Sequence, residues 1–370
     1  MTKHLRYDGL DLLRIVAAYL VFFNHLGQFN PHYDAAAHGV VEGGPLAFSF
    51  MGGFSGVGSV GVEIFFVISG FVISASVHGT TPGEFLRRRA IRVFPALWIC
   101  ATIALLVRAA AGEPLGYLAG CWLKSAFLSP IGPYIDGVVW TLVVEAVFYG
   151  LVFFWLLFVK RPLLGLARII GFCSAAFLIV FAAARFWELH AFSAVLDRFP
   201  FKVLLLRDGV FFAAGILFDA WIEQGRPARS WRLIGFFLAF GVVEIIVSST
   251  HAAALTVAIW AVGMAWLLAC VVYRDFIESL VRIAPKFVGQ LGRMSYTLYL
   301  THYAFGMVIV SALFSLGLSE PFAFVSSLAI VTAVAWGVMA GPERATQAIL
   351  RARLSEVADT YHRYRLRGTL

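Results

Sequence analysis

Apolar residues in this 370-residue chain gather into ten blocks, most of them near 20 residues long, broken by short stretches rich in Arg, Gly and Pro. At about 1.5 Å of rise per residue, a helix of that length matches the roughly 30 Å hydrocarbon core of a bilayer. The blocks predict helices near 10–27, 57–77, 92–108, 138–159, 169–187, 203–222, 233–250, 252–273, 293–316 and 322–341. Backbone polar groups in hydrocarbon must be satisfied within their own segment, which favours helices over open strands. The expected fold is therefore all-α, a polytopic membrane protein with about ten transmembrane helices. Composition agrees, with 61% hydrophobic and only 14% charged residues, against about 25% charged in an ordinary soluble domain.

The connections alternate in basic content, and this predicts orientation, because Lys and Arg are retained on the cytoplasmic side. One side carries Lys3 and Arg6; Arg87, Arg88, Arg89 and Arg92; Lys160, Arg161 and Arg168; and Arg226, Arg229 and Arg232. It also carries Arg274, Arg282, Lys286 and Arg293, then Arg344, Arg351, Arg353, Arg363, Arg365 and Arg367. The opposite side holds Lys124, Arg198 and Lys202. Both termini are expected to be cytoplasmic, with an even number of spans. The net charge of +8 resides in these flanks, so membrane lipids of an anionic leaflet account for it and no nucleic-acid partner is implied.

Residues 1–341 read as one transmembrane domain and 342–370 as a short basic cytoplasmic tail. The early Arg14 and the absence of a small-residue cleavage site predict that the first helix is retained. Cys100, Cys121, Cys173 and Cys270 have neither disulfide nor metal spacing, and no metal is expected. Two outer segments, 28–56 with His32 and His38 and 109–137 with Trp122, Pro130 and Pro133, are either the entrance for a bulky substrate or surface connectors.

A charged side chain in mid-span costs about 3 kcal/mol on insertion scales, so each one is a candidate site. Here they are Arg14, His25, Glu63, Glu145, Arg207, Asp208, Glu244 and His302. Arg14 and His25 stand eleven residues apart, about 20° past three full turns and about 16 Å along the axis. They share one helical face, Arg14 inward and His25 outward, unless Arg14 only pairs with Asp11 and His25 only caps the helix. Arg89 and Arg92, at i and i+3, project together and suit bidentate phosphate binding, although such clusters also set topology. Glu63 and Glu145 reach a depth like that of His25, where a carboxylate can orient an imidazole. Glu145 also forms a stripe with Thr141 and Tyr149 that fits an interhelical hydrogen bond. Arg207 and Asp208 point about 100° apart and suit structural pairs. His302, beside Tyr299 and Tyr303, is a core hydrogen-bonder or a pore wall.

With these residues in view, the chain resembles the acyltransferase-3 family of bacterial membrane acyltransferases. "YDGLDLLRIVAAYLVFFNHLG" is similar to the family's first helix, with its basic residue and His. "GSVGVEIFFVISGFVIS", "FLRRRAIRVFPALW", "WTLVVEAVFYG" and "LGRMSYTLYLTHYAF" follow in the family's order. Thr141 replaces a Ser and Ala146 a frequent second Glu, and "MAGPERAT" departs from a Glu-x-Pro pattern, which leaves the role of Glu343 open. The resemblance implies transfer of an acyl group, most often acetyl, from cytoplasmic acyl-CoA to a sugar hydroxyl of a glycan or glycolipid at the outer face of the bacterial inner membrane. His25 is then the expected general base or acyl carrier, oriented by Glu145 or, as second choice, Glu63. Arg14, Arg89, Arg92, Trp140, Tyr149, Tyr299 and His302 are expected to bind substrate, and a homo-oligomer is an open option. A proton-coupled transporter or flippase of a sugar or lipid-linked glycan is the competing expectation, since His and Glu chains also relay protons.

Overall fold

The structure, a computed structural model, describes residues 7–27, 48–51, 56–159, 162–227, 230–249, 252–281 and 284–367. A helix occupies each of the ten apolar blocks, and no strand occurs among the described residues. In chain order they are α1 (Asp8–Gly27), α2 (Val60–Val77), α3 (Pro82–Ala110), α4 (Leu115–Ala126), α5 (Val139–Phe154), α6 (Leu164–Phe186), α7 (His190–Leu196) and α8 (Phe199–Val203). Then come α9 (Gly209–Glu223), α10 (Ser230–Ser248), α11 (Ala253–Val272), α12 (Arg274–Val281), α13 (Pro285–Thr301), α14 (Ala304–Ser315), α15 (Glu320–Ala340) and α16 (Pro342–Arg367). Most of the 28–56 segment, with His32 and His38, lies outside the described residues. So do Lys3, Arg6, Lys160, Arg161, Arg229 and Arg282.

Eight of the described helices are long and apolar enough to cross a membrane, and α13 with α14 makes a ninth as a bent pair. The block expected near 203–222 behaves differently. Its helix, α9, has only 15 residues, about 22 Å of rise, and it is buried along nearly its whole length between α2 and α6. Gly70 and Gly215 make this possible. A Cβ on Gly70 would collide with the Phe212 carbonyl, and one on Gly215 with the Val67 carbonyl. Small residues at a helix crossing in lipid let the two backbones approach.

The same device seats α1, which packs against α2, α11 and α13. A Cβ on Gly61 would strike the Ala17 carbonyl, so α1 and α2 run in near backbone contact just below His25. Large apolar side chains such as Phe172, Val262 and Phe322 stay exposed on the outer helices, as expected where the solvent is lipid.

The chain breaks at residues 302–303, where α13 and α14 meet at a bend of 69°. A break inside a span leaves helix-end amides without partners. Asp136, buried in the connection before α5, supplies one: its Oδ2 accepts from the Ala304 amide at 2.9 Å, while its Oδ1 accepts from the Val138 amide at 3.0 Å. One carboxylate thus caps two helices and holds the kink that carries His302.

Candidate active site

Arg92 of α3, Thr297 of α13 and Glu343 at the start of α16 converge on one side of Tyr299. Thr297 Oγ1 donates to Glu343 Oε2 at 2.9 Å, and the Arg92 guanidinium stands 3.6 Å from Glu343 Oε1. Beside them a cavity of about 130 Å³ is lined by Arg14, Arg89, Arg92, Glu145, Tyr149, Tyr296 and Tyr299, with Val62, Phe65 and Phe66 as apolar wall. Arg14 is paired with Asp11 at 3.1 Å. Glu145 Oε1 accepts from Ser69 Oγ and from Tyr149 OH, each at 2.6 Å. Arg89 differs from its neighbours: it has no ion pair among the described residues, and its buried Nε has no hydrogen-bond partner. A permanently charged, multiply donating group left this way favours an anion in the cavity.

Beyond Tyr299 lies an imidazole pair. His25 Nδ1 is 2.7 Å from His302 Nε2, and the two rings stack with centroids 5.0 Å apart. His302 is 1% exposed, while His25 is only half-buried. His302 Nδ1 lies 2.8 Å from the Tyr299 carbonyl oxygen. A carbonyl only accepts, so that nitrogen carries the hydrogen and, in the neutral ring, His302 Nε2 is an acceptor. His25 Nδ1 must then donate, which leaves the lone pair of a neutral His25 on Nε2. A base or nucleophile is thus set up by a chain of two hydrogen bonds that ends on backbone.

Tyr299 joins the two halves. Its side chain lines the arginine cavity, its hydroxyl pairs with Thr141 Oγ1 at 2.9 Å, and its ring centroid is 5.5 Å from that of His302. Thr141 therefore retains the hydroxyl of the Ser it replaces.

The residues expected to act together divide into three groups. Arg14, Arg89, Arg92, Tyr149 and Tyr299 line one cavity, and His25 with His302 forms the pair beyond it. Glu145 lines the cavity but bonds Ser69 and Tyr149, so the partner of His25 Nδ1 is His302 where a carboxylate was expected. Glu63 does not line the cavity, and its buried Oε2 has no partner among the described residues. Trp140 packs edge-on to Phe66 and lies beneath the Lys202 ammonium, 4.7 Å from its ring, away from the arginines. Two residues gain importance: Glu343, which the motif mismatch left open, and Asp136, a capping Asp before a helical block that carried no other signal.

His78, Asp219 and Glu223 are the described residues that come near a metal-ligand grouping, with ligand atoms within 4.8 Å of one another. They join the last turn of α2 to that of α9 and lie apart from the cavity. His78 Nε2 is 3.3 Å from Asp219 Oδ2 and 3.0 Å from Glu223 Oε1, within hydrogen-bond reach of both carboxylates.

Fold and site together define a multi-pass membrane protein whose polar residues meet in a buried centre bordered by a cluster of arginines. Residues 7–340 match the acyltransferase-3 family, described as an acyltransferase domain, and the chain belongs to that family. It is 29% identical over 307 residues to "Exopolysaccharide production protein ExoZ" of Rhizobium meliloti (strain 1021), covering 77% of this chain and 89% of that protein. It is 36% identical over 94 residues to "O-acetyl transferase" of Shigella phage Sf6, covering 25% of this chain and 24% of that one. Over 167 residues it is 31% identical to "Nodulation protein 10" of Rhizobium leguminosarum bv. viciae, covering 38% and 42% respectively. No solved structure matches the chain. The protein is a membrane acyltransferase.

Proposed function

We propose that this acyltransferase takes an acetyl group from cytoplasmic acetyl-CoA and esterifies a hydroxyl of a cell-surface or exported polysaccharide, within the bacterial cytoplasmic membrane. The observation that carries the reading is the unpartnered Nε of Arg89, buried beside a narrow cavity and separated by Tyr299 from an imidazole pair. An anionic cofactor held at the arginines, with a thin arm reaching past Tyr299, matches that shape. The similarity to an O-acetyl transferase and to an exopolysaccharide production protein supports acetyl as the acyl group and a polysaccharide as acceptor. The basic asymmetry of the connections supports cytoplasmic termini and entry of the donor from the cytoplasm. A reporter fused after residue 370 should be active only in its cytoplasmic form.

In the reaction, His25 Nε2 removes the proton of the acceptor hydroxyl as its oxygen attacks the thioester carbonyl. The C–S bond then breaks, and the departing thiolate takes the proton from the His25 imidazolium, giving ester and free CoA thiol. His302 accepts from His25 Nδ1–H throughout, so it fixes the ring and favours the imidazolium while that charge exists. Arg14, Arg89 and Arg92 hold the donor's phosphates and the start of its pantetheine arm. Glu145 shapes the cavity through Ser69 and Tyr149.

The test is thiol release from acetyl-CoA by purified protein with its polysaccharide acceptor, followed by mass analysis of the ester. Acceptor-dependent thiol release supports the reading. Glycan movement across proteoliposomes without thioester consumption would replace it with transport.

A further inference from the structure

A second cavity, of about 520 Å³, opens where α3 faces α16, lined by Arg87, Arg88, Ile91, Arg92, Gln347 and Arg351. Arg92 borders both cavities, so one guanidinium stands between the wide space and the narrow one of about 130 Å³. Four guanidinium groups face the wide space. Glu84 holds Arg88 at 2.6 Å and lies 3.9 Å from Arg87, while Glu343 lies 3.6 Å from Arg92. Arg351 has no acidic partner among the described residues, and it stands across the space from the other three. Like charges converging on a cavity repel unless an anion joins them. Gln347 Nε2 donates to Glu343 Oε1 at 2.9 Å, so one face of α16 supplies the Glu343 contact to Arg92 and, two turns on, the cation at Arg351.

The shape and charge of this pair of spaces match a molecule with a broad, multiply phosphorylated head and a thin neutral arm. We propose that the cavity between α3 and α16 binds the nucleotide end of acyl-CoA and that Arg351, assisted by Arg87 and Arg88, recognises the ribose 3′-phosphate. The inference rests on the acyl-CoA reading above and extends it to the tail helix. Arg92 at the neck then meets the diphosphate, exchanging its long contact with Glu343 for a phosphate oxygen. The tail is a specificity element as well as a topology signal.

The experiment measures equilibrium binding of CoA and of 3′-dephospho-CoA to the full-length protein in nanodiscs of neutral lipid. The wild type should bind CoA about ten-fold or more tightly than dephospho-CoA, the size expected for one charge-assisted pair. Arg351→Ala should weaken CoA binding by about that factor and leave dephospho-CoA binding unchanged, so that the two ligands become equivalent. Arg351→Lys should restore part of the difference, because charge returns without the forked geometry. Equal weakening of both ligands by Arg351→Ala, or weakening of neither, overturns the proposal. Loss of the CoA preference in nanodiscs containing anionic lipid assigns the space to a lipid headgroup and also overturns it. If the wild type bound neither ligand, the acyl-CoA reading itself would fall, a result distinct from the loss of 3′-phosphate discrimination.

Discussion

Two clusters of buried charge stand within this membrane domain, and they differ in what is left over. Around Arg207 every donor nitrogen is matched: its Nε donates to Glu244 at 2.9 Å, its remaining nitrogens reach Asp197 and Ser248, and the buried atoms left without a partner among the described residues, Glu244 Oε2 and Asp208 Oδ2, are acceptors. Ser248 in turn donates to Glu244. Around Arg89 the account stays open, with a guanidinium nitrogen that has no hydrogen-bond partner among the described residues and a cavity in front of it. Buried charge in a bilayer is therefore not by itself a site. It becomes one where donors outnumber acceptors and the surplus faces space. The closed cluster ties α9 to α10 and to the short connection before it, whereas the open one leads past Tyr299 to His25.

The largest effect that tests this contrast lies at the far end of the open path. His25→Gln keeps a hydrogen-bonding group but cannot take a proton. Acyl transfer should fall by about 10²–10⁴-fold, with insertion and CoA binding retained, as read by thiol release and by equilibrium binding. Turnover within a few-fold of wild type would remove proton transfer from this position and direct attention to His302.

Next in size is the closed cluster. Arg207→Ala strands Glu244 and Asp197 and should lower stability by about 3–5 kcal/mol, the range for breaking a buried pair. A fall in melting temperature and in yield after detergent extraction would report it. Arg89→Ala, by contrast, removes no ion pair among the described residues. It should lower stability far less than Arg207→Ala does while weakening CoA binding about ten-fold or more. If Arg89→Ala destabilised the fold as much as Arg207→Ala does, the open cluster would be structural and the contrast would collapse.

Much of the fold is visible in the linear pattern, because span length and apolarity are local properties. The ten blocks each hold a helix, and the Arg14–His25 stripe lies along α1, with Arg14 lining the arginine cavity and His25 beyond Tyr299. Pairings between distant segments are not local. His302 lies 277 residues from His25, and no periodicity connects them. The break at 302–303 has no proline or glycine to announce it, since it is capped from outside the segment by Asp136. The i, i+4 relation of Glu145 and Tyr149 was readable on one helix, and that local bond is the one formed. α9 reads as a full span by composition, yet it is short because the segment before it is spent on α8 and on Arg207 and Asp208 at the cluster.

The smallest expected effect concerns Asp136, which lies in the connection outside the spans and caps α5 and α14 together. Burial pushes its carboxyl from the ordinary 3.8 up to about 6, against the opposing pull of the Ala304 and Val138 amides and of Arg108. Between those two values the folded protein holds a proton that the unfolded chain has released. Stability must then fall as pH rises from about 4 to about 6 and level off above, because it declines wherever the native state binds more protons. Arg108 does not supply this slope: its charge persists through the window and Glu113 holds it at 2.6 Å. Asp136→Asn removes the titrating group, so its melting temperature should vary less across that window than the wild type's. It should also sit lower at pH 4, since an amide presents one acceptor where two backbone donors need one each. An unchanged slope in Asp136→Asn would assign the titration to another group. A flattened slope with unaltered acyl transfer would confine Asp136 to holding the fold, whereas a concurrent drop in kcat with KM unchanged would tie the cap at Ala304 to the placement of His302 two residues before it.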